Sequence, residues 1–454
     1  MNSSPFDVKN VRLFVRFRIF FNSRFYYPVF TILFLDFGLT LEQFAILNVV
    51  WATSIVLLEV PSGALADIIG RKRLLVISGI LMVLEMGLLC VVPRENIHFL
   101  FWVFLINRVL SGASEAAASG ADEALAYDSL DAKGLSHHWP KVLEKQMRMQ
   151  SIGFMAAMSI GAAVYDPQLM QSVADAVGLP IAMDRDITIR LPLYLTLSMA
   201  ILTLMTTIQM EEKDENTSCL SIQGCTVSVL EAAKKTLSAG RWILNTPFAL
   251  AVILAVLVFE NVNRLTVTLI SQYFRMIQIP EALFGVIESA LALLGIFIPK
   301  VAWRMVANNS PRRNVIYLAA ITWAGLFGIS MFTPYFGLLP VVLLFCSMMM
   351  TQFFQSHYMN RMTTSDQRAT VLSFKGLSTN LAYGLAGLLY SFLVAMLRGD
   401  LQARLPQLTA SQIENMAFSA SVSAFPWYFL TTFLGLLLFC GWHLKSVQDH
   451  KVAG

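Results

Sequence analysis

Twelve apolar runs, each about as long as a helix that crosses a bilayer, recur along this 454-residue chain. A helix rises about 1.5 Å per residue, so roughly 20 apolar residues cover about 30 Å of hydrocarbon. The runs occupy residues 11–36, 42–62, 74–92, 98–124, 145–165, 191–210, 247–274, 282–303, 314–333, 337–360, 370–397 and 424–444. Charged residues make up only 14% of the chain and apolar ones 56%, too few charges to wet the surface of a soluble domain. The pattern predicts an all-α membrane protein with twelve transmembrane helices.

One long polar stretch interrupts the series. Residues 211–246 open on Glu211, Glu212, Lys213, Asp214 and Glu215 and carry a candidate surface helix over 227–237. The expected organisation is a six-helix bundle over 1–210, a cytoplasmic linker over 211–246, and a second six-helix bundle with a short tail over 247–454. Two parallel halves related by an axis along the membrane normal fit this division. Longer connections, 166–190 and 398–423, occupy matching places in the two halves. Most of the 33 lysines and arginines then fall on the side of both termini; only Arg94, Arg185, Arg190, Arg275, Arg398 and Arg404 lie on the other. That bias places both termini in the cytoplasm and accounts for the net charge of +4 without nucleic acid. Arg16, Arg18 and Arg24 interrupt the first run, so no cleaved signal is expected. Cys90, Cys219, Cys225, Cys346 and Cys440 form no metal-ligand spacing, and neither a disulfide framework nor a cofactor is expected.

Between the second and third runs, the segment GALADIIGRKRLL places Gly63, Asp67, Gly70, Arg71, Lys72 and Arg73 in a tight turn. Glycine permits close reversal, the aspartate offers an anion to a cation or a helix N-terminus, and the cations mark the cytoplasmic face. The segment resembles the loop between the second and third helices of major facilitator superfamily transporters, G-x-L-A-D-R-x-G-R-K, with Ile68 where that family usually has arginine. The resemblance implies two pseudo-symmetric bundles whose first, fourth, seventh and tenth helices line a central cavity. It also implies that Asp67 faces the N-terminal end of the eleventh helix, here approached by residues 366–373; such a contact is expected to latch the outward-facing state.

Ionisable groups at membrane depth cost about 2.5–3.5 kcal/mol each on insertion scales and therefore need partners or an aqueous cavity. In the fourth run Arg108, Glu115 and Asp122 are spaced by seven, one stripe of a continuous helix, beside a small-residue face of Gly112, Ala116 and Gly120. Asn107 to Gly112 resembles the family's R-x-x-x-G motif, whose arginine is associated with proton coupling. Asn22 and Arg24 lie near mid-depth in the first run; Glu260, Asn261, Asn263 and Arg264 do so in the seventh, with Glu260 one turn from Arg264. Gln352, Gln355, Ser356 and His357 follow Met348, Met349 and Met350 in the tenth, a mix suited to varied ligands. Glu85, in a run that is peripheral in the family, is assigned a neighbour-helix contact, and Glu59 a bracing role. Asp122, Glu123 and Asp128 end the fourth run close to the Arg71, Lys72 and Arg73 turn. The substrate or proton pathway is assigned to Asn22, Arg24, Arg108, Glu115, Glu260, Arg264, Gln355 and His357; the conformational gate is assigned to Gly63, Asp67, Gly70, Arg71, Lys72, Asp122 and Asp128.

No G-x-x-x-x-G-K-[ST] loop is present to drive a cycle with ATP, and buried carboxylates offer protonation exchange instead. The expected protein is a monomeric, proton-coupled secondary transporter in the cell inner membrane, surrounded by lipid, exporting a small organic molecule by alternating access. Export rests on residues 59–63 and 119–130, which resemble a branch near drug and siderophore exporters. Gly153 and Gly161 only partly resemble the antiporter signature G-x-x-x-G-P, since no proline follows. Uptake of an anionic metabolite, favoured by Arg24, Arg108 and Arg264, and a transporter-like sensor are the competing readings. No cluster with catalytic spacing points to an enzyme.

Overall fold

The first apolar run breaks at residues 23–26, where Arg24 lies, whereas Arg12, Arg16 and Arg18 stay inside the helix before it. The computed structural model describes residues 4–94, 96–212, 241, 243–244, 246–362 and 365–452, without the side chains of 64, 67, 68, 97, 360–375 and 442–452. The helix α1 (Lys9–Asn22) stops before Arg24, a 3-10 turn covers Tyr27–Val29, and α2 (Phe30–Asp36) completes the crossing. The chain continues through α3 (Leu41–Ile69), α4 (Arg71–Val91), α5 (Ile97–Ala118), α6 (Ala121–Asp131), α7 (Trp139–Tyr165), α8 (Pro167–Val177), α9 (Arg185–Thr188) and α10 (Leu191–Ile208). After the linker come α11 (Pro247–Thr268), α12 (Ile270–Met276), α13 (Phe284–Ala292), α14 (Leu294–Asn308), α15 (Pro311–Ile329), α16 (Leu338–Met362), α17 (Ser365–Arg404) and α18 (Ala410–Val452). The described residues form no strand.

Each of the twelve apolar runs is mostly helical, with breaks in the first and fourth. Among the described residues, nine stretches are long and apolar enough to cross a membrane. The other three runs are the broken first one, the fifth, whose helix α7 begins among Lys141, Glu144, Lys145 and Arg148, and the ninth, whose 19-residue α15 begins with Pro311, Arg312 and Arg313.

Two expectations change. The fourth run is not one helix: Gly120 takes φ +75°, a left-handed conformation that suits glycine, and α6 restarts at Ala121. Arg108 and Glu115 therefore share a helix that Asp122 does not. The expected connection over 398–423 is mostly helix, because α17 runs to Arg404 and α18 begins at Ala410. Hydropathy marks only the hydrocarbon-spanning part of a helix, and these polar extensions reach beyond it. The candidate surface helix over 227–237, Cys219 and Cys225 lie outside the described residues, as do the side chains of Asp67 and residues 366–373.

Contacts group the chain into two compact units. One comprises Met1–Leu39, Val50–Ala232 and Pro280–Ser289; the other comprises Thr40–Val49, Ala233–Ile279 and Ala290–Gly454. In the first unit α4 packs between α5 and α10, and α1 packs on α6, α7 and α10. Glycines set the closest approaches: a Cβ at Gly112 would strike Ser54 and the Trp51 carbonyl on α3, and one at Gly161 of α7 would overlap the Phe25 carbonyl in the break of the first span. In the second unit α16 packs on α11, α14 and α15, and α18 packs on α11, α15 and α17.

Candidate functional site

The break after α1 delivers Arg24 into the interior of the first unit. Its guanidinium is 1% exposed and donates from Nη1 to Glu85 Oε1 on α4 at 2.5 Å. Its Nη2 lies 3.6 Å from Glu115 Oε1 on α5. The Phe21 and Tyr27 rings stand 5.4 and 5.9 Å from the Arg24 guanidinium carbon, adding cation–π attraction. The two carboxylates differ in access: the Glu85 side chain is fully buried, whereas that of Glu115 is 34% exposed. Glu115 borders a cavity of about 240 Å³ whose polar lining includes Arg18, Asn22, Glu59, Ser119 and Asp122. One carboxylate is thus sealed against the arginine, while the other reaches the same arginine from a space large enough for water.

Arg108 is equally buried but differently held. Its Nε and Nη2 donate to the Asn107 side-chain oxygen at 3.1 and 2.9 Å, and the Phe30 and Phe34 rings lie 5.4 and 5.6 Å from its guanidinium carbon. Asn107 in turn donates to the backbone carbonyl of Glu85 at 2.8 Å, so both arginines are tied to the same turn of α4. Among the described residues Arg108 forms no ion pair. Asn22 ends α1, donates to the Arg18 carbonyl and lines the cavity beside Glu115.

In the second unit Arg264 of α11 donates to Asn380 at 2.9 Å and lies 4.3 Å from the Tyr383 ring centre. Glu260 stands one turn earlier, and Asn263, next to Arg264 in sequence, donates to Ser347 on α16. Gln355 is buried, and the His357 ring lies parallel to Phe353 with centroids 6.5 Å apart. Among the described residues neither hydrogen-bonds Glu260 or Arg264.

The gate residues divide between two partners. Arg71 pairs with Asp128, as their shared end of the bundle suggests. Asp122 pairs with Arg18 of α1, whose Nη2 also lies 3.4 Å from Glu123. Gly70 adopts φ +91° between α3 and α4, whereas Gly63 lies within α3 and a Cβ added there would meet no atom within 4 Å. The anion at the N-terminus of α4 is Glu212: its two oxygens accept from the amides of Arg71 and Lys72, each at 2.9 Å. Glu211 beside it exchanges backbone bonds with the Asn10 side chain and pairs with Lys9 at 2.5 Å. The Lys9 hydrogen bond and charge hold the Glu211 carboxyl below its usual range.

Sequence reading gave too small a place to Glu85, Glu212 and two arginines counted only for topology. Arg185 lies between Glu281, at 2.6 Å, and Asp36, at 3.7 Å, in the first unit. Arg398 lies between Glu42, at 2.9 Å, and Glu414, at 2.8 Å, in the second. The available signal was the excess of charge near run ends, which carries no pairing information.

A family model described as Major Facilitator Superfamily matches residues 13–387, most of the chain. The chain belongs to that superfamily. Solved structures agree in fold. A bacterial homologue of the human lysosomal transporter Spinster, inward-facing and unoccupied, shares 12% identity over 98% of each chain with a TM-score of 0.69. The nucleoside transporter NupG shares 13% over 96% of this chain and 99% of that one, at 0.66. The xylose transporter XylE from E. coli shares 13% over 96% and 99%, at 0.58. No curated protein sequence matches the chain. Membership makes this a multi-pass membrane protein of a transporter family rather than an enzyme. Identities this low establish the fold alone.

Proposed function

We propose that this superfamily member is a proton-coupled secondary transporter of the cell inner membrane, exporting a small organic molecule by alternating access. The observation that carries the reading is the unequal pair of carboxylates on Arg24. Glu85 neutralises the buried cation, and Glu115 contacts it from the edge of a polar cavity. A carboxyl in that position exchanges two stabilisations, the attraction of Arg24 when ionised and freedom from desolvation when protonated. Cargo and proton then compete for the same space without either charge being stranded in hydrocarbon. Arg18 and Asp122, which also line the cavity, connect it to the end of the bundle where Arg71 meets Asp128.

Export is favoured by residues 59–63 and 119–130, which resemble a branch near drug and siderophore exporters. The second reading, uptake of an anionic metabolite, is favoured by Arg108, a buried cation with no carboxylate partner among the described residues. Everted vesicles separate the two. A thermal-shift screen of drugs, siderophores and organic anions first supplies a radiolabelled ligand. Export predicts that everted vesicles with an acidified interior accumulate it and that Glu115→Gln abolishes accumulation while leaving exchange of labelled for unlabelled ligand. Accumulation by Glu115→Gln at the wild-type level would remove Glu115 from coupling. Uptake by whole cells, with none into acidified everted vesicles, would favour the anion importer.

A further inference from the structure

Asn261 is a carboxamide in the middle of a membrane span that serves neither Glu260 nor Arg264. Among the described residues it makes no hydrogen bond, and its side chain lines a cavity of about 400 Å³ between α11 and α18. An unmatched amide at that depth is costly, and intramembrane polar groups that persist mark binding sites by default. The cavity has the size of small-ligand pockets, roughly 300–1,000 Å³.

The lining has a direction. Alternation of spans makes α11 and α18 antiparallel, and the Phe259 ring meets those of Phe429 and Phe433 at tilted and edge-on angles, with centroids 5.3 and 5.9 Å apart. This register sets Asn261 beside Tyr428 and Thr432 at one end, and Leu254 beside Gly435 and Phe439 at the other. Thr432 donates its hydroxyl proton to the Tyr428 carbonyl at 2.9 Å, leaving its lone pairs to accept. The Tyr428 hydroxyl has no partner among the described residues. A donor and acceptor amide, a phenol and an accepting hydroxyl therefore cluster at the polar end, with aliphatic and aromatic carbon beyond. None of the nine lining residues is charged, so the cavity offers no counter-ion for a charged head. Tyr428 and Phe439, both about 40% exposed, form rims on helix faces that a membrane span presents to acyl chains.

We propose that this cavity binds a neutral amphiphile drawn from the bilayer. Its hydroxyl or ester head meets Asn261, Tyr428 and Thr432, and its chain lies along Leu254 and Phe439. The bilayer is the source because the rims are apolar and the polar groups lie within the span. The site is independent of the Arg24 reading.

Photolabelling of the full chain in nanodiscs tests the proposal, with monoolein carrying a diazirine in its acyl chain as the probe. Label should concentrate on peptides containing Leu254 and Phe439, and excess monoolein should compete while hexadecane and oleate should not. Asn261→Leu should cut labelling about fivefold, the scale of one lost hydrogen bond. Gly435→Trp should abolish it, since a Cβ there meets no atom within 4 Å and the ring has room to fill the cavity. Label spread evenly over all spans, competition by hexadecane equal to that by monoolein, or unchanged labelling of a monodisperse Asn261→Leu protein would overturn the proposal. The wild-type competition pattern decides the matter even if both variants fail to fold.

Discussion

Arg24 and Arg108 are two equally buried guanidiniums in one compact unit, 2% and 3% exposed, yet their surroundings solve the cost of burial differently. Arg24 sits where the first span unwinds and is neutralised by two carboxylates from two further helices. Arg108 lies within a regular helix, where one amide oxygen and two phenyl rings hold it and, among the described residues, no carboxylate does. Cation–π contacts contribute about 0.5–2 kcal/mol, far less than the several kcal/mol that desolvating an ion costs. The first arrangement is closed except at Glu115; the second keeps an unbalanced positive charge. Burial alone does not identify the working group. What separates them is which partner can be withdrawn without leaving a charge stranded.

The sharpest way to break this comparison is to remove the sealed partner. Glu85→Ala leaves Arg24 with only the partly exposed Glu115 at 3.6 Å and should cost about 3–5 kcal/mol, read as a large loss of thermal stability in detergent. The double change Arg24→Met with Glu85→Leu should recover most of that loss. Arg108→Met removes a cation that has no ion-pair partner among the described residues, so it should cost less than Glu85→Ala; an equal or larger loss would erase the distinction. Gly161→Ala pushes a methyl group into the Phe25 carbonyl and tests whether the break itself is held by packing. A loss of about 1–3 kcal/mol is expected, with Glu115 becoming more reactive to a water-soluble carbodiimide as the break loosens. Glu212→Gln weakens the charged cap on α4 by about 0.3–1 kcal/mol and leaves both arginines untouched. The smallest effect is that of pH on the Lys9 and Glu211 pair. Because this carboxyl is held below its usual range, its contribution is present above about pH 4.3 and fades as the pH falls further, which limited proteolysis of the linker would detect.

Much of the fold was legible because hydrocarbon thickness imposes a length on every span. The twelve runs needed no tertiary knowledge. The breaks did: Arg24 signalled a charge problem in the first run without showing that the helix would unwind there, and Gly120 looked like one of three small packing residues. Gly112 does pack against α3, whereas Gly120 turns the chain. Charge pairing was the least legible layer. Arg108 and Glu115 look like partners at a spacing of seven, yet Glu115 turns to Arg24, ninety-one positions earlier in sequence. Glu212 caps a helix that begins 141 positions before it. Such pairings arise when helices distant in sequence become neighbours, and no local period encodes them.

Infrared pH-difference spectroscopy of the reconstituted protein tests the central claim most directly, because it observes carboxyl protonation without requiring a known substrate. One component of the protonated-carboxyl band, titrating with bulk pH, should be missing from the Glu115→Gln difference spectrum and present in that of Glu59→Gln. A Glu115→Gln difference spectrum that matches the wild type throughout the carboxyl region would contradict the account.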